Sequence, residues 1–153
     1  MSSVSSDALF EQTPFGISIS ADDIVDTLSF FDDWEERYRY IIDLGKQLPA
    51  FPADMQTPER IVHGCQSQVW LEIGFDQDAG KVKLAVDSDA LIVRGLAAMV
   101  LAALNRKTPA EIIGYDMESY FASVDLVKHL SPTRGNGLRA MVERIKREAA
   151  SLA

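Results

Sequence analysis

The stretch Gln68-Val-Trp-Leu-Glu-Ile-Gly-Phe-Asp-Gln-Asp-Ala-Gly-Lys-Val-Lys-Leu-Ala-Val86 decides the fold class. Val69, Leu71, Ile73 and Phe75 take alternate positions in its first half, and Val82, Leu84 and Val86 in its second. A period of two is the mark of a strand with one face buried. Asp76 to Gly80 between the halves is a short turn with a glycine free to take positive φ. The segment predicts an antiparallel hairpin. Just upstream, Ile61 and Val62 add a short third strand, which leaves His63-Gly64-Cys65-Gln66-Ser67 in a loop between strands.

Helix signals flank the hairpin on both sides. Ser20 with Asp23 three residues on starts a first helix. Asp32 or Asp33 opens a second, whose Trp34, Tyr38, Ile41, Gly45 and Leu48 share a face, and Pro49 and Pro52 end it. Residues 49–60 read as a loop. Beyond the hairpin, Asp87-Ser88-Asp89 is placed to cap an apolar helix from about Ala90 to Leu104. Thr108-Pro109-Ala110-Glu111 starts a short helix ending near Gly114. Asp116 to Val127 is helical but irregular, and Ser131 to Gly137 reads as a loop. A last helix puts Leu138, Met141, Val142, Ile145, Ala149 and Leu152 on one face, with Arg139, Glu143, Lys146 and Arg147 outside. Helices, a hairpin, then helices imply an α+β domain, with a small antiparallel sheet of about three strands between helices. Residues 1–20 are Ser-rich and aperiodic, so a loosely ordered arm is expected there, and residues 21–153 form one domain.

Composition narrows the function. The chain has 153 residues, a length for one domain, and a net charge of −8. An acidic chain without a basic stripe argues against nucleic acid and anionic membrane as partners. The apolar run from Ala90 to Leu104, broken by Arg94, is shorter than a bilayer span. The start MSSVSSDALFEQ lacks the features of a secretory signal, so a cytoplasmic protein with a reduced thiol is expected. One cysteine excludes an intramolecular disulfide and any multi-cysteine zinc or iron–sulfur site within the chain.

Cys65 is the most informative residue. It reads either as a small buried hydrophobe or as an accessible thiol at a loop tip, since Gly64 precedes it and polar residues follow. His63 could lower the thiol pKa if the two side chains converge; otherwise it is a strand-end histidine. Arg134, in its Gly- and Pro-flanked loop, is either an anion or carboxylate binder or a solvated side chain ahead of a helix. Gly135-Asn136-Gly137 is a weak anion signal only. Phosphate-loop and dinucleotide patterns are absent, and no bound cofactor is expected.

Taken together, several runs resemble the SufE family. They are His63-Gly-Cys-Gln-Ser-Gln-Val-Trp70, Asp87-Ser-Asp-Ala90 with Ile92-Val-Arg-Gly-Leu96, Trp34-Glu-Glu-Arg-Tyr38 with Ile41-Ile-Asp-Leu-Gly45, Thr108-Pro109 with Ile112, and His129-Leu-Ser-Pro-Thr-Arg134 with Gly137-Leu138. They cover about residues 30–152, in order and with consistent spacing. The resemblance implies a fold similar to IscU-type scaffolds. It also implies a sulfur acceptor that takes persulfide sulfur from a pyridoxal-phosphate cysteine desulfurase (SufS- or CsdA-like) and stimulates that enzyme. The sulfur, carried as a Cys65 persulfide, would pass to an iron–sulfur scaffold complex (SufBCD-like). By the same resemblance Cys65 is the accepting residue and Gly64 suits a mobile cysteine loop. Arg134 lies near the cysteine or the partner interface, and Asp89 bears on the resting state of the loop. Gln66, His63 and His129 match motif positions without an assigned role. The signature is shared by the SufE and CsdE branches, and the chain is expected as a monomer or homodimer. Two other classes are weighed against the carrier. One is an interaction-only activator of a desulfurase with a structural cysteine. The other is a stand-alone thiol enzyme, which the lack of a resolving cysteine disfavours.

Overall fold

The computed structural model describes residues 6–65 and 67–152. Its centre is the hairpin, β1 (Val69–Asp76) and β2 (Lys81–Ser88), paired antiparallel from Val69↔Ser88 to Asp76↔Lys81. The turn closes as expected: the Asp76 carboxylate accepts from the amides of Asp78 and Ala79, and Gly80 has φ +68°. Among the described residues the sheet has two strands. Ile61 makes only an isolated bridge to Trp70, and Val62 donates one backbone bond to Val69. The turn at Pro58–Arg60 before it and Gly64 after it leave no length for a third strand.

Helices α2 (Ala21–Ser29) and α3 (Trp34–Gly45) precede the hairpin. Ser20 and Asp23 form a reciprocal capping box on α2, and the Asp33 carboxylate caps α3 through the Glu36 amide. The apolar run becomes α4 (Leu91–Leu104), buried along nearly its whole length between the sheet, α3 and α7 (Pro132–Leu152). It crosses α3 closely at Gly45 and Gly95; a Cβ on Gly45 would sit 2.6 Å from the Gly95 nitrogen. Two short helices, α5 (Pro109–Gly114) and α6 (Met117–Ser123), link α4 to α7.

Three expectations are corrected. The acids before α4 do not cap it: the N-cap residue is Ala90, which makes no side-chain cap bond. Asp87 is instead buried. Its Oδ2 accepts from the Phe51 amide at 2.8 Å, and its Oδ1 lies 3.0 Å from Arg94 Nε. That Nε–H is not aimed at the carboxylate, so the contact is an ion pair without a hydrogen bond. Second, the Ser131–Gly137 segment is not a loop, because α7 begins at Pro132. Ser131 Oγ accepts from the Arg134 amide at 3.3 Å, and proline is well suited to the first helical position.

Third, the N-terminal segment is not loose where it is described. It holds α1 (Ser6–Gln12) and buries Leu9, Phe10 and Phe15 completely or nearly so. Buried Asn105 clamps it, donating to the Phe15 carbonyl while accepting from the Leu84 amide, and Arg106 donates to the Phe10 carbonyl. The sheet therefore has cover on both faces. Val69, Leu71, Val82, Leu84 and Val86 face the main core, while Trp70 and Ala85 pack under Leu9, Phe10, Phe51 and Met55. Residues 1–5 lie outside the described chain.

Candidate functional site

Cys65 stands just past a tight turn at His63 and Gly64. Gly64 has φ +94°, a conformation a side chain would strain. The Val62 amide bonds the Val69 carbonyl at 2.9 Å and closes the base of this cysteine loop. On the far side of the loop, Asp89 Oδ1 accepts from the Gln68 amide at 3.0 Å, and Ser88 Oγ donates to the Gln68 carbonyl at 2.7 Å. Asp89 and Ser88, two of the residues expected to cap α4, thus fasten the end of the cysteine loop just before β1.

The thiol turns inward against α7. Its Sγ–H donates to the Gly137 carbonyl at 3.4 Å. A Cβ on Gly137 would lie 3.3 Å from that sulfur, so glycine keeps the space open. Around the sulfur is a small cavity of about 50 Å³, enough for an additional heavy atom. Val93, Leu96, Leu138 and Met141 make its apolar wall; Ser67, Thr133 and Arg134 are its polar part. Cys65 is half-buried, and burial pushes its thiol pKa up, with no charged group offsetting the shift. At neutral pH the resting sulfur is a protonated, sheltered thiol.

Of the residues singled out in the sequence, Cys65 and Arg134 line this cavity, while Gly64 and Asp89 shape its loop. Arg134 is exposed in the first turn of α7, where its Nη1 donates to Tyr38 Oη at 2.7 Å. His63 is exposed beside Gly64 and contributes nothing to the thiol's shift. His129 is not in the cavity wall; its ring stacks on Trp34 at 4.1 Å. Gln66 lies outside the described residues. Sequence reasoning missed the role of Gly137 and the Tyr38 partner of Arg134. One signal was present: glycine inside a helix costs up to about 1 kcal/mol, so two of them in an otherwise amphipathic segment mark a close approach.

Among the described residues no group of three or more His, Cys, Asp or Glu side chains could hold a metal ion. Nor is any described helix long and apolar enough to cross a membrane.

The family model of SufE, the Fe-S metabolism associated domain, matches residues 22–149. The chain belongs to the SufE family. Two relatives agree, both bearing the name uncharacterized SufE-like protein. One is from Rhizobium etli, 48% identical over 132 residues, covering 85% of this chain and 89% of the relative. The other is from Rhizobium meliloti, 48% identical over 132 residues, covering 85% of this chain and 94% of the relative. The fold is also that of a hypothetical protein from Thermus thermophilus whose solution structure superimposes with a TM-score of 0.69. That match has 18% identity and covers 86% of this chain and 94% of the other. The SufE assignment associates the chain with iron–sulfur metabolism. The match starts at Asp22, so α1 and the Phe15 clamp lie ahead of the matched residues.

Proposed function

We propose that this SufE-family protein is a sulfur carrier, accepting sulfane sulfur on Cys65 from a pyridoxal-phosphate cysteine desulfurase and delivering it to an iron–sulfur cluster scaffold. The observation that supports it most is the placement of the one cysteine. Cys65 sits past a glycine turn, half-buried, with its sulfur beside a cavity that has room for another atom.

The chemistry is thiol–persulfide exchange. The Cys65 thiolate attacks the outer sulfur of the donor's persulfide. The bond between the two donor sulfurs breaks as the new sulfur–sulfur bond forms, and the donor's cysteine leaves as thiolate. One sulfur–sulfur bond replaces another, so no outside oxidant is needed, and the Cys65 proton passes to solvent or to the leaving thiolate. Because burial holds the resting thiol protonated, docking has to draw the loop away from Gly137 before attack. Arg134 at the cavity rim is placed to offset negative charge on a persulfide. The acidic chain fits a protein partner in the cytoplasm, where a lone thiol stays reduced.

The test is intact-protein mass after incubation with a cysteine desulfurase, pyridoxal phosphate and L-cysteine. Wild type should gain one sulfur atom that dithiothreitol removes, and Cys65→Ser should gain none. Desulfurase stimulation that survives in Cys65→Ser, without sulfur uptake by wild type, would instead identify an activator with a structural cysteine.

A further inference from the structure

The side of the cysteine loop away from Asp89 is held by an arginine. Arg144 projects from α7 with its side chain 19% exposed. Its Nη1 donates to the Ile61 carbonyl at 3.0 Å and its Nη2 to the Glu59 carbonyl at 3.0 Å. Nε, the third donor direction, meets Glu148 Oε1 at 3.0 Å, one turn along the helix. The segment it grips runs straight into Val62, His63, Gly64 and Cys65. Gly137, which receives the thiol, lies on the same helix two turns earlier, about 10 Å away along the axis. One rigid helix therefore holds both the stem of the cysteine loop and the surface on which its sulfur rests.

We infer that Arg144 is a positioning residue for Cys65, its guanidinium fork on the Glu59 and Ile61 carbonyls setting the loop at the height where the sulfur meets Gly137. The role of that sulfur in transfer rests on the carrier reading above; the positioning itself does not. A guanidinium suits the task because its planar donors reach two carbonyls at once, whereas a lysine ammonium presents a single point of charge. Without the fork, two carbonyls lose charge-assisted bonds, and the loop's hold on the closed position weakens by the worth of those bonds. The other ties on the segment, Arg60 to Thr57 and Glu72 and the Val62–Val69 backbone bond, fix its path along β1 but do not connect it to α7.

The experiment is the rate of Cys65 alkylation by iodoacetamide at fixed pH, with urea raised in steps below the unfolding transition. Arg144→Met should react about tenfold faster than wild type in the absence of urea, from the loss of charge-assisted hydrogen bonds. Its rate should respond to urea far less steeply than global unfolding does, because only a loop opens. Arg144→Lys should fall between the two, and Arg147→Met, on the exposed side of the same helix, should match wild type. A rate for Arg144→Met within about twofold of wild type overturns the inference. So does an acceleration that follows the urea dependence of global unfolding, since that means Arg144 serves only overall stability. If Arg144→Met does not fold, Arg144→Lys is judged by the same two criteria. Alkylation needs no desulfurase, so a failure of sulfur uptake in wild type leaves this result intact, and the reverse also holds.

Discussion

Gly137 and Cys65 meet so closely that a β-carbon on Gly137 would lie 3.3 Å from the sulfur, and the thiol rests on the Gly137 carbonyl. Gly137→Ala puts opposite demands on the molecule. Alanine in a helix interior is intrinsically favoured over glycine by up to about 1 kcal/mol, so α7 itself does not suffer. The new methyl, 3.3 Å from Sγ, pushes the sulfur outward. The expected result is a near-unchanged thermal melt together with a changed pH profile of alkylation. In wild type, burial disfavours the thiolate, so reactivity should rise only above the ordinary cysteine range near pH 8.5. In Gly137→Ala the midpoint should move down toward that value. An identical profile for the two proteins means that Gly137 does not shelter the thiol. The other residues of the motif divide by what they touch. Asp89 holds the Gln68 amide and Arg134 holds Tyr38, while His63 and His129 point to neither the sulfur nor its cavity.

At the scale of elements, the junction from β2 to α4 joins the core to the site. Its three polar residues look like a helix cap in sequence, yet each also bonds a neighbouring strand or loop. Asp87 ties the 49–57 loop through Phe51 and pairs with Arg94, which in turn donates to the Leu48 carbonyl at 2.9 Å. Asp87→Asn keeps the shape and removes the charge, leaving the Arg94 guanidinium without its counter-ion. The expected loss is about 2 kcal/mol in urea unfolding. That is below the ~3–5 kcal/mol of a fully buried pair, because Arg94 stays 19% exposed and retains its carbonyl. A loss under about 0.5 kcal/mol would make this pair equivalent to a surface contact. The start of α7 teaches the same lesson from the other side: Pro132 and two glycines read as a loop, but Ser131 caps them into a helix, and Gly137 lets that helix approach the cysteine loop.

For the whole molecule, the decisive feature is that a two-stranded sheet is covered on both faces. A lone hairpin is marginal in water, and here α4 and α7 cover one side while α1 and the 49–57 loop cover much of the other. The N-terminal segment therefore belongs to the folded body. Phe15 is fully buried, so Phe15→Ala should cost about 3–5 kcal/mol, as for any core aromatic, where a solvated arm would lose nothing measurable. Chemical denaturation of the two proteins distinguishes these outcomes. The sequence by itself determined the hairpin with its register-setting alternation, the capped helices α2, α3 and α5, the single thiol, and the motifs of the family. Each of these is carried by residues close in the chain, where periodicity and capping act. The tertiary structure alone decided what lies over Trp70, that Asp87 pairs with Arg94, and that Cys65 rests on Gly137, 72 positions away. Burial and close approach are properties of how distant segments pack, and no local spacing of side chains encodes which backbone will arrive beside a given sulfur.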